Sequence, residues 1–341
     1  MTGSRPEGDS LGGMSLGDIP PDRGAVRWGI LSTARIAEKV IAGARTAANV
    51  EIVAVGSRHL GRGEAFAAEH GIGRVHGSYE DLLTDDDVEA VYIPLPNSLH
   101  VPWSIKAVEA GKHVLCEKPL TRRAADADAA FDAAERSGRL LMEAFMWRYH
   151  PQTELLTRLA REIAPLRVVR AAFGFPLPDD PANVRWQSEL EGGALMDVGC
   201  YCVSALRLLA GEPRQVSAEA VEGGGGVDFR IGGLLRFDKH VLGMFDCGFD
   251  VPPRGVIEVV GEGGTLVSYD PWHGTKPRMT RDGEDVPVEA ADPYGRELED
   301  FSAAIREGRA PRLGREDAIG QARAIEALYE AAGSGRAVSL R

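Results

Sequence analysis

A regular alternation of short apolar segments and helical segments between Val26 and Phe145 restricts the fold more than any other feature. The apolar segments predict strands, and the segments between them carry apolar residues at helical spacing. The predicted strands are Val26–Leu31, Val50–Val55, Ala90–Ile93, His113–Cys116 and Leu140–Phe145, and the predicted helices are Ile36–Ala47, Glu64–His70, Pro102–Ala110 and Arg122–Ser137. This alternation predicts a parallel sheet with helices on both faces, of which the doubly wound nucleotide-binding sheet is the commonest form.

After Phe145 the pattern changes to strands that follow one another through turns. The predicted strands are Leu166–Phe175, Val216–Val221, Val227–Phe237, His240–Phe249, Val256–Val260 and Thr265–Tyr269, with helices at Gly193–Leu209, Tyr294–Glu307 and Glu316–Ala332. We therefore expect an α/β protein in two domains. A Rossmann domain spans residues 25–147, and an α+β domain with a large, mostly antiparallel open sheet spans residues 148–341.

Charge and composition argue against several partners. The chain has 51 acidic and 39 basic residues and a net charge of −12, so neither nucleic acid nor a membrane surface is an expected partner. Residues 1–24 are rich in Gly, Pro, Ser and Asp and predict a disordered leader rather than a signal peptide. The four cysteines and eight histidines lack metal-binding spacing and indicate free thiols in the cytoplasm, with no metal.

The turn after the first strand lies where a dinucleotide fold binds its pyrophosphate, at a helix N-terminus. The three glycines usual at this turn are replaced by Ser32, Ala34 and Ala37, which are all small. Backbone groups and hydroxyls of the turn are the predicted cofactor contacts, namely Ser32, Thr33, Ala34, Arg35 and Ile36.

The end of the second strand predicts the choice of cofactor. An NAD site usually has an acidic residue here to bind the ribose 2′-hydroxyl. This chain has Ser57 and Arg58 instead, and a hydroxyl beside a guanidinium suits a 2′-phosphate. We expect NADP(H) in preference to NAD(H).

Three motifs in this order resemble the glucose-fructose oxidoreductase/inositol dehydrogenase/MocA (Gfo/Idh/MocA) family. They are Cys116–Leu120, Glu143–Pro151 and Gly192–Tyr201, and the likeness covers nearly the whole chain from residue 26. Within the family the chain looks closest to NADP-dependent xylose and dihydrodiol dehydrogenases and to deoxysugar ketoreductases. Those members have tyrosine where inositol dehydrogenases have histidine, and that position is Tyr201.

The resemblance implies hydride transfer between the nicotinamide C4 and a carbinol or carbonyl carbon of a sugar-like substrate. Such a reaction also moves a proton at the oxygen. Tyr201 is the predicted acid/base, Lys118 is expected to lower its pKa, and Asp197 lies four residues earlier on the same helix face. A pathway-specific reductase of nucleotide-linked keto-sugars, a non-catalytic dinucleotide-binding regulator and an interaction module are the alternatives.

Further site residues follow from the same resemblance. Leu95, Pro96, Asn97 and His100 are expected at the nicotinamide, Glu117 near its ribose, and Trp147 and Arg148 at the cofactor. Arg185 and Trp186 are expected to line the substrate cleft together with Lys118, Asp197 and Tyr201. The open sheet predicts a homo-dimer or tetramer, and the helix at 316–332 is expected to pack back on the first domain.

Overall fold

The first half of the chain forms a six-stranded parallel sheet in the computed structural model, which describes residues 24–178, 180, 182–223 and 225–340. The predicted leader therefore lies, apart from Gly24, outside the described residues. Strands and helices alternate as β1 (Val26–Leu31), α1 (Ile36–Ala44), β2 (Val50–Gly56), α2 (Leu60–His70), β3 (Arg74–His76), α3 (Tyr79–Leu83), β4 (Ala90–Ile93), α4 (His100–Glu109), β5 (His113–Glu117), α5 (Ala124–Arg136) and β6 (Leu141–Ala144).

The strand order β3-β2-β1-β4-β5-β6 confirms the doubly wound Rossmann sheet. Because the chain moves outward from β1 first on one side and then on the other, a crevice opens between the carboxyl ends of β1 and β4. All four residues of β4 are buried, as expected where helices cover both faces of a sheet. Strand β3, which is not among the predicted strands, pairs with β2 as the edge strand.

The second domain contains a nine-stranded sheet in the order β14-β13-β12-β11-β7-β10-β9-β8-β15. Its elements are α6 (Pro151–Glu162), β7 (Leu166–Gly174), α7 (Cys200–Ala210), β8 (Gln215–Glu222), β9 (Asp228–Arg236), β10 (Leu242–Gly248), β11 (Arg254–Gly261), β12 (Gly264–Tyr269), β13 (Arg278–Arg281), β14 (Glu284–Val286), α8 (Pro293–Glu307), α9 (Arg315–Ser334) and β15 (Val338–Ser339). Only β7 and β10 pair in parallel, which confirms the mostly antiparallel sheet.

Helix α6 and the short strands β13, β14 and β15 are absent from the sequence prediction. Helix α6 begins with Pro151 in its first turn, and His150 caps it by accepting the backbone N–H of Gln152 at 3.0 Å. It buries a narrow stripe that includes Leu156 and Leu159, and the rest of its surface is polar. The proline and this spacing were the available signals.

The last two long helices return to the first domain. Helix α8 packs on α1, and the buried indole N–H of Trp28 in β1 donates to Ser302 Oγ in α8 at 3.1 Å. Helix α9 packs on α5, where Arg315 forms ion pairs with three carboxylates, those of Asp128, Asp132 and Glu135. The end of the chain thus fixes the orientation of the two domains.

One stretch, Ser188–Ala210, has the length and mean hydropathy of a membrane-spanning helix, which the sequence analysis had not anticipated. Within this stretch 78% of the most apolar window is buried inside the fold. Its apolar residues are therefore accounted for by packing, since α7 lies against β7 and β10.

Candidate active site

A cavity of about 1070 Å³ lies between the carboxyl ends of the parallel strands and the second domain. Its first-domain lining includes Ala34, Arg35, Ile36, Lys39, Pro94, Leu95, Pro96, Asn97, His100, Glu117 and Lys118. Its second-domain lining includes Phe173, Phe175, Asn183, Val184, Arg185, Gly192, Gly193, Asp197, Tyr201, Arg254, Asp270, Trp272, His273 and Tyr294.

Lys118 and Asp197 connect the two domains across this cavity. Lys118 follows β5 directly, and its ammonium donates to the main-chain carbonyl oxygen of Asp197 at 2.7 Å and to Asp197 Oδ1 at 3.2 Å. The backbone at Leu195–Gly199 is a single π turn, which re-spaces the hydrogen-bond ladder just before α7. Burial disfavours the Lys118 charge, but Asp197 outweighs it and raises the pKa of the ammonium above its ordinary value.

Arg185 makes the second ion pair of Asp197, with its Nε 2.6 Å from Oδ2. The carboxylate is thus held between two cations, one from each domain. Burial on its own would raise the pKa of Asp197, but Lys118 and Arg185 outweigh burial and lower it to about 2. Asp197 is ionised at neutral pH, and the two cations that it binds are fixed at the cavity wall.

Tyr201 lies on α7, one turn after Asp197, in an aromatic surrounding. Its ring is edge-on to Phe145 and Phe173, at 5.6 and 5.4 Å between centroids. The Lys118 ammonium lies 4.9 Å from the ring centroid, whereas the hydroxyl is 3.9 Å from Met146 Sδ. Burial raises the pKa of Tyr201 well above 10, which is opposite to the lowering expected from Lys118. The ammonium faces the ring rather than the oxygen.

The loop after β4 lines the cavity with Leu95, Pro96, Asn97 and His100, but its polar side chains bind other parts of the protein. The His100 ring lies between two main-chain carbonyl oxygens, Leu95 at 2.7 Å and Pro119 at 2.8 Å. Asn97 Nδ2 donates to the carbonyl oxygen of Glu191 at 2.7 Å. These two residues therefore join loops around the cavity.

Glu117 lies at the floor of the cavity, at the end of β5. The Tyr92 hydroxyl donates to its Oε1 at 2.5 Å, and its Oε2 accepts the backbone N–H of Lys118 at 3.3 Å. Burial raises the pKa of this carboxyl, while Lys118 and Tyr92 oppose the rise.

Comparison with known proteins identifies the family. Residues 26–145 match the model of the Gfo/Idh/MocA oxidoreductase family with its NAD-binding Rossmann fold, and residues 159–267 match the family's C-terminal domain. D-xylose 1-dehydrogenase (NADP(+)) 2 of Haloferax volcanii is 42% identical over 323 residues, covering 92% of this chain and 99% of that protein. The chain belongs to the Gfo/Idh/MocA family.

Two solved structures of this family share the architecture over almost their whole length. An aldose-aldose oxidoreductase from Caulobacter crescentus, crystallised with glycerol, has a TM-score of 0.86 at 29% identity and covers 93% of this chain and 100% of its own. A 3-ketoreductase from Actinomadura kijaniata, in complex with NADP and TDP-benzene, has a TM-score of 0.84 at 31% identity, with coverage of 90% and 98%. The predicted resemblance is confirmed, and the chain is an oxidoreductase by family.

The family's phosphate turn has an unusual backbone in this chain. Ser32 has a φ of +127°, in the region that favours glycine, which explains why glycine is usual at this position. Its hydroxyl donates to the Pro94 carbonyl oxygen at 3.3 Å and accepts the Ala34 N–H at 3.2 Å. Ala34, Arg35 and Ile36 line the cavity, whereas Ser32 and Thr33 lie outside its lining, and their contacts with the cofactor stay a prediction.

The two residues expected to select the cofactor have different surroundings. Arg58 is exposed and lines a second cavity, of about 460 Å³, together with Ser78, Tyr79 and Trp103. Ser57 is 5% exposed, and its hydroxyl donates to the carbonyl oxygen of His59 at 2.9 Å. The Ser57 hydroxyl thus forms a local turn outside the lining of this cavity, and its contact with the cofactor stays a prediction.

Three further residues expected at the site have side chains outside the lining of this cavity, and their contacts with cofactor or substrate stay a prediction. Trp147 is fully buried and packs edge-on against Trp272 at 5.4 Å. Arg148 donates to Ser204 Oγ at 3.3 Å and faces Asp317 at 3.7 Å. Trp186 is stacked on Phe229 at 4.9 Å, and its indole N–H donates to the Pro178 carbonyl oxygen at 3.0 Å.

The sequence analysis missed the group that caps the start of the π turn before α7. Asp228 of β9 accepts the backbone N–H of Leu195 at 2.6 Å and the Tyr329 hydroxyl at 2.8 Å. Gly193 has a φ of +113°, and a Cβ there would lie 2.1 Å from Asp228 Oδ1, which explains the glycine. It also missed Asp270, His273 and Tyr294 in the cavity wall, which carry no local motif.

The described part of the chain contains no cluster of three or more His, Cys, Asp or Glu side chains suited to a metal ion. All four cysteines are buried free thiols.

Asp228→Asn is expected to change how stability depends on pH. Burial raises the pKa of Asp228 to about 6, above the unfolded value of about 4. The stability linked to the raised pKa is complete below pH 4 and is lost as the pH rises through 6. Relative to the variant, the free energy of unfolding of the native protein should therefore fall by up to about 3 kcal/mol across this interval, as measured by urea titration. Asp238→Asn, at an exposed turn, is the control and should not reproduce this change, and equal slopes for native protein and Asp228→Asn would contradict the assignment.

Proposed function

We propose that the protein is an NADP(H)-dependent oxidoreductase that transfers a hydride between the nicotinamide C4 and a carbinol or carbonyl carbon of a neutral sugar. The convergence of Lys118, Asp197 and Tyr201 in one cavity, at the strand ends where this fold binds dinucleotides, supports this function. Lys118 was predicted from one motif in the first domain, and Asp197 and Tyr201 were predicted from another motif in the second domain.

The first domain offers a fitting set of cofactor contacts. The N-terminal turn of α1 at Ala34–Ile36 presents backbone N–H groups, and exposed Arg35 and Lys39 add positive charge for the pyrophosphate. Arg58 is suited to a ribose 2′-phosphate because no carboxylate follows β2 directly. Leu95, Pro96 and Glu117 would face the nicotinamide end. When bound, the nicotinamide supplies or accepts the hydride.

The proton at the substrate oxygen is the task of Tyr201 and Lys118. Burial keeps the Tyr201 hydroxyl protonated at neutral pH, and Tyr201 lines the cavity. An ammonium has three hydrogens, and two of those of Lys118 face Asp197. The third can donate to the substrate oxygen and stabilise its developing negative charge. Tyr201 and Lys118 are both protonated at neutral pH, so they can donate to the oxygen of a carbonyl substrate during reduction. Oxidation of an alcohol instead requires that one of them has first lost its proton.

The charges of the second domain favour a neutral sugar over a nucleotide-linked one. A diphosphate requires unpaired cations. Two arginines line this side of the cavity, and both are ion-paired, Arg185 with Asp197 and Arg254 with Asp246. Asp270 and His273 instead offer hydrogen-bonding groups for hydroxyls.

The names of the relatives agree with a sugar substrate. The relative named D-xylose 1-dehydrogenase (NADP(+)) 2 is 42% identical to this chain. A nucleotide-linked keto-sugar is the second candidate, because the related 3-ketoreductase binds TDP-benzene with NADP. The non-catalytic regulator is disfavoured by the intact Lys118 and Tyr201.

Turnover and the acid/base role are tested together. Absorbance of NADPH is followed with aldoses, inositols and dihydrodiols under oxidation and with keto-sugars under reduction. Tyr201→Phe should lower kcat by about 10²–10⁴-fold, because a positioned proton-transfer group contributes that much, while NADPH affinity stays within a few fold. The oxidation rate of the native enzyme should rise with pH, since the basic form of a group with a high pKa is required.

The control is Phe175→Leu, an aromatic change in the same cavity that removes no hydroxyl. Near-normal turnover by Tyr201→Phe would overturn the acid/base role. Absence of turnover together with absence of NADPH binding would overturn the enzyme function itself.

Cofactor choice is tested at Arg58. Arg58→Ala should weaken NADPH binding by about 10–100-fold, because it removes one charge-assisted contact with the 2′-phosphate of about 1.5–3 kcal/mol. NADH lacks this phosphate, and its affinity in the same variant is the internal control. Calorimetric titration of both cofactors measures the ratio, and an equal loss for both would contradict the proposed contact.

A homo-oligomer that forms through the nine-stranded sheet is part of the proposal. Helices α7 and α9 cover one face of this sheet. On the other face, register aligns Leu234 with Met244, and Met244 with Arg170, which is ion-paired with Glu258. Leu234 is 39% exposed on this face. A second copy of the same face would cover it.

The location proposed for the protein is the cytoplasm, because its buried free thiols suit a reducing compartment.

Light scattering is expected to give a dimer or tetramer for the native protein. Leu234→Glu should reduce the assembled fraction, because it places a charge at the proposed contact. Leu60→Glu, at an exposed position of α2, is the matched control and should leave the mass unchanged. A monomeric native protein at micromolar concentration would contradict the oligomer.

A further inference from the structure

Strand β6 carries a buried carboxyl group that the proposed reaction does not use. Glu143 is 2% exposed, and its Oε1 accepts the backbone N–H of Leu120 at 2.8 Å. Its Oε2 is also buried and has no hydrogen-bond partner within the described residues. An ionised carboxylate in this state would lack the donors that a buried charge requires.

The hydrogen bond of Glu143 holds the segment that carries Lys118. Leu120 is two residues after Lys118, and the carbonyl oxygen of Pro119, between them, faces the ring of His100 at 2.8 Å. The buried side chains of Glu143 and His100 thus both form hydrogen bonds with the loop after β5. The position of the Lys118 ammonium depends on this loop as well as on Asp197.

The charged groups around Glu143 form ion pairs with one another. Asp317 of α9 faces Arg148 at 3.7 Å and Arg207 of α7 at 3.9 Å, and Arg207 also pairs with Glu212 at 2.7 Å. Burial raises the pKa of Glu143 to about 8, and Asp317 adds to the rise. The Leu120 N–H, Arg207 and Lys118 oppose it, and the buried thiols Cys116 and Cys200 are the other titratable groups coupled to this carboxyl.

We propose that Glu143 is a positioning residue, which holds the Lys118 segment in its uncharged acid form and loosens it when the proton is lost. The inference rests on the proposed function. Ionisation releases the proton to solvent and leaves a negative charge beside Asp317, at the junction of β6, α7 and α9. The ionised Oε2, which is buried without a donor, then has to turn toward water or a cation. Oε1 leaves the Leu120 N–H as the carboxylate turns, and the loop that carries Lys118 loses this hydrogen bond.

The pH dependence of reduction tests this role. In the native enzyme kcat/KM should be level to about pH 8 and then fall, by up to about tenfold per pH unit. Glu143→Gln keeps a carbonyl oxygen for the Leu120 N–H but cannot ionise, so its profile should stay level above pH 8. Lys118 and Tyr201, whose pKa values are both raised, titrate above this interval.

Two further variants should change the pH profile or the rate in a direction that the structure predicts. Asp317→Asn removes a negative neighbour, lowers the pKa of Glu143, and should move the fall to lower pH. Glu143→Ala, which loses the acceptor, should lower kcat at every pH. Glu109→Gln, at an exposed position of α4, is the control and should keep the native profile.

NADPH affinity, measured by tryptophan fluorescence between pH 6.5 and 9, separates this inference from the proposed function. Lys118 lines the cavity, so the native affinity should fall several-fold above pH 8, and that of Glu143→Gln should not. Absence of sugar turnover with this difference in affinity would count against the proposed function alone. Superimposable profiles of native protein and Glu143→Gln, in both turnover and affinity, would overturn the role of Glu143.

Discussion

The ammonium group of Lys118 joins two domains that the chain builds from separate sheets, and the geometry of the site depends on this contact. Its partner, Asp197, contributes both a carboxylate oxygen and a main-chain oxygen, and Arg185 satisfies the other carboxylate oxygen. A buried ion pair is stable only when its remaining polar atoms are bound in this way. Strand β5 of the parallel sheet sets the position of Lys118, and the π turn sets that of Asp197. Helices α8 and α9, which pack on the first domain, keep the two residues at this distance.

Burial has opposite consequences for the ionisable groups around this pair. Asp197 stays charged, with a pKa of about 2, because two cations outweigh its burial. Glu143, Glu117 and Tyr201 have no comparable partner, and burial raises the pKa of each. Asp197 is therefore the ionised carboxylate of the site, and Lys118 and Tyr201 both carry a proton that they can donate. The carboxyl groups of Glu117 and Glu143 are weaker acids than usual. Such a distribution suits the protonation of an oxygen on a neutral substrate.

The sequence predicted what depends on local pattern. Strand ends, helix starts and three motifs were enough to bring Lys118, Asp197, Tyr201 and Arg185 to one cavity. The orientation of a side chain depends on tertiary packing and could not be predicted, since Trp147 lies inside a motif and Trp186 just before another, and both turn toward the core. Long-range hydrogen bonds were also invisible, because Leu195 and Asp228 are 33 residues apart and Leu120 and Glu143 are 23 apart. Tyr201 stays protonated because it is buried among aromatic rings, and the spacing of residues in the sequence does not predict this burial.

The return of α8 and α9 to the first domain has a consequence for how the molecule folds. Trp28 in the first strand completes its hydrogen bonding only through Ser302, 274 residues later. The packing of the first domain cannot be completed on the ribosome until α8 and α9 have emerged, because α1 and α5 pack against these two helices. Sequence domains and folding units therefore do not coincide in this protein, and its two halves are expected to unfold as one cooperative body.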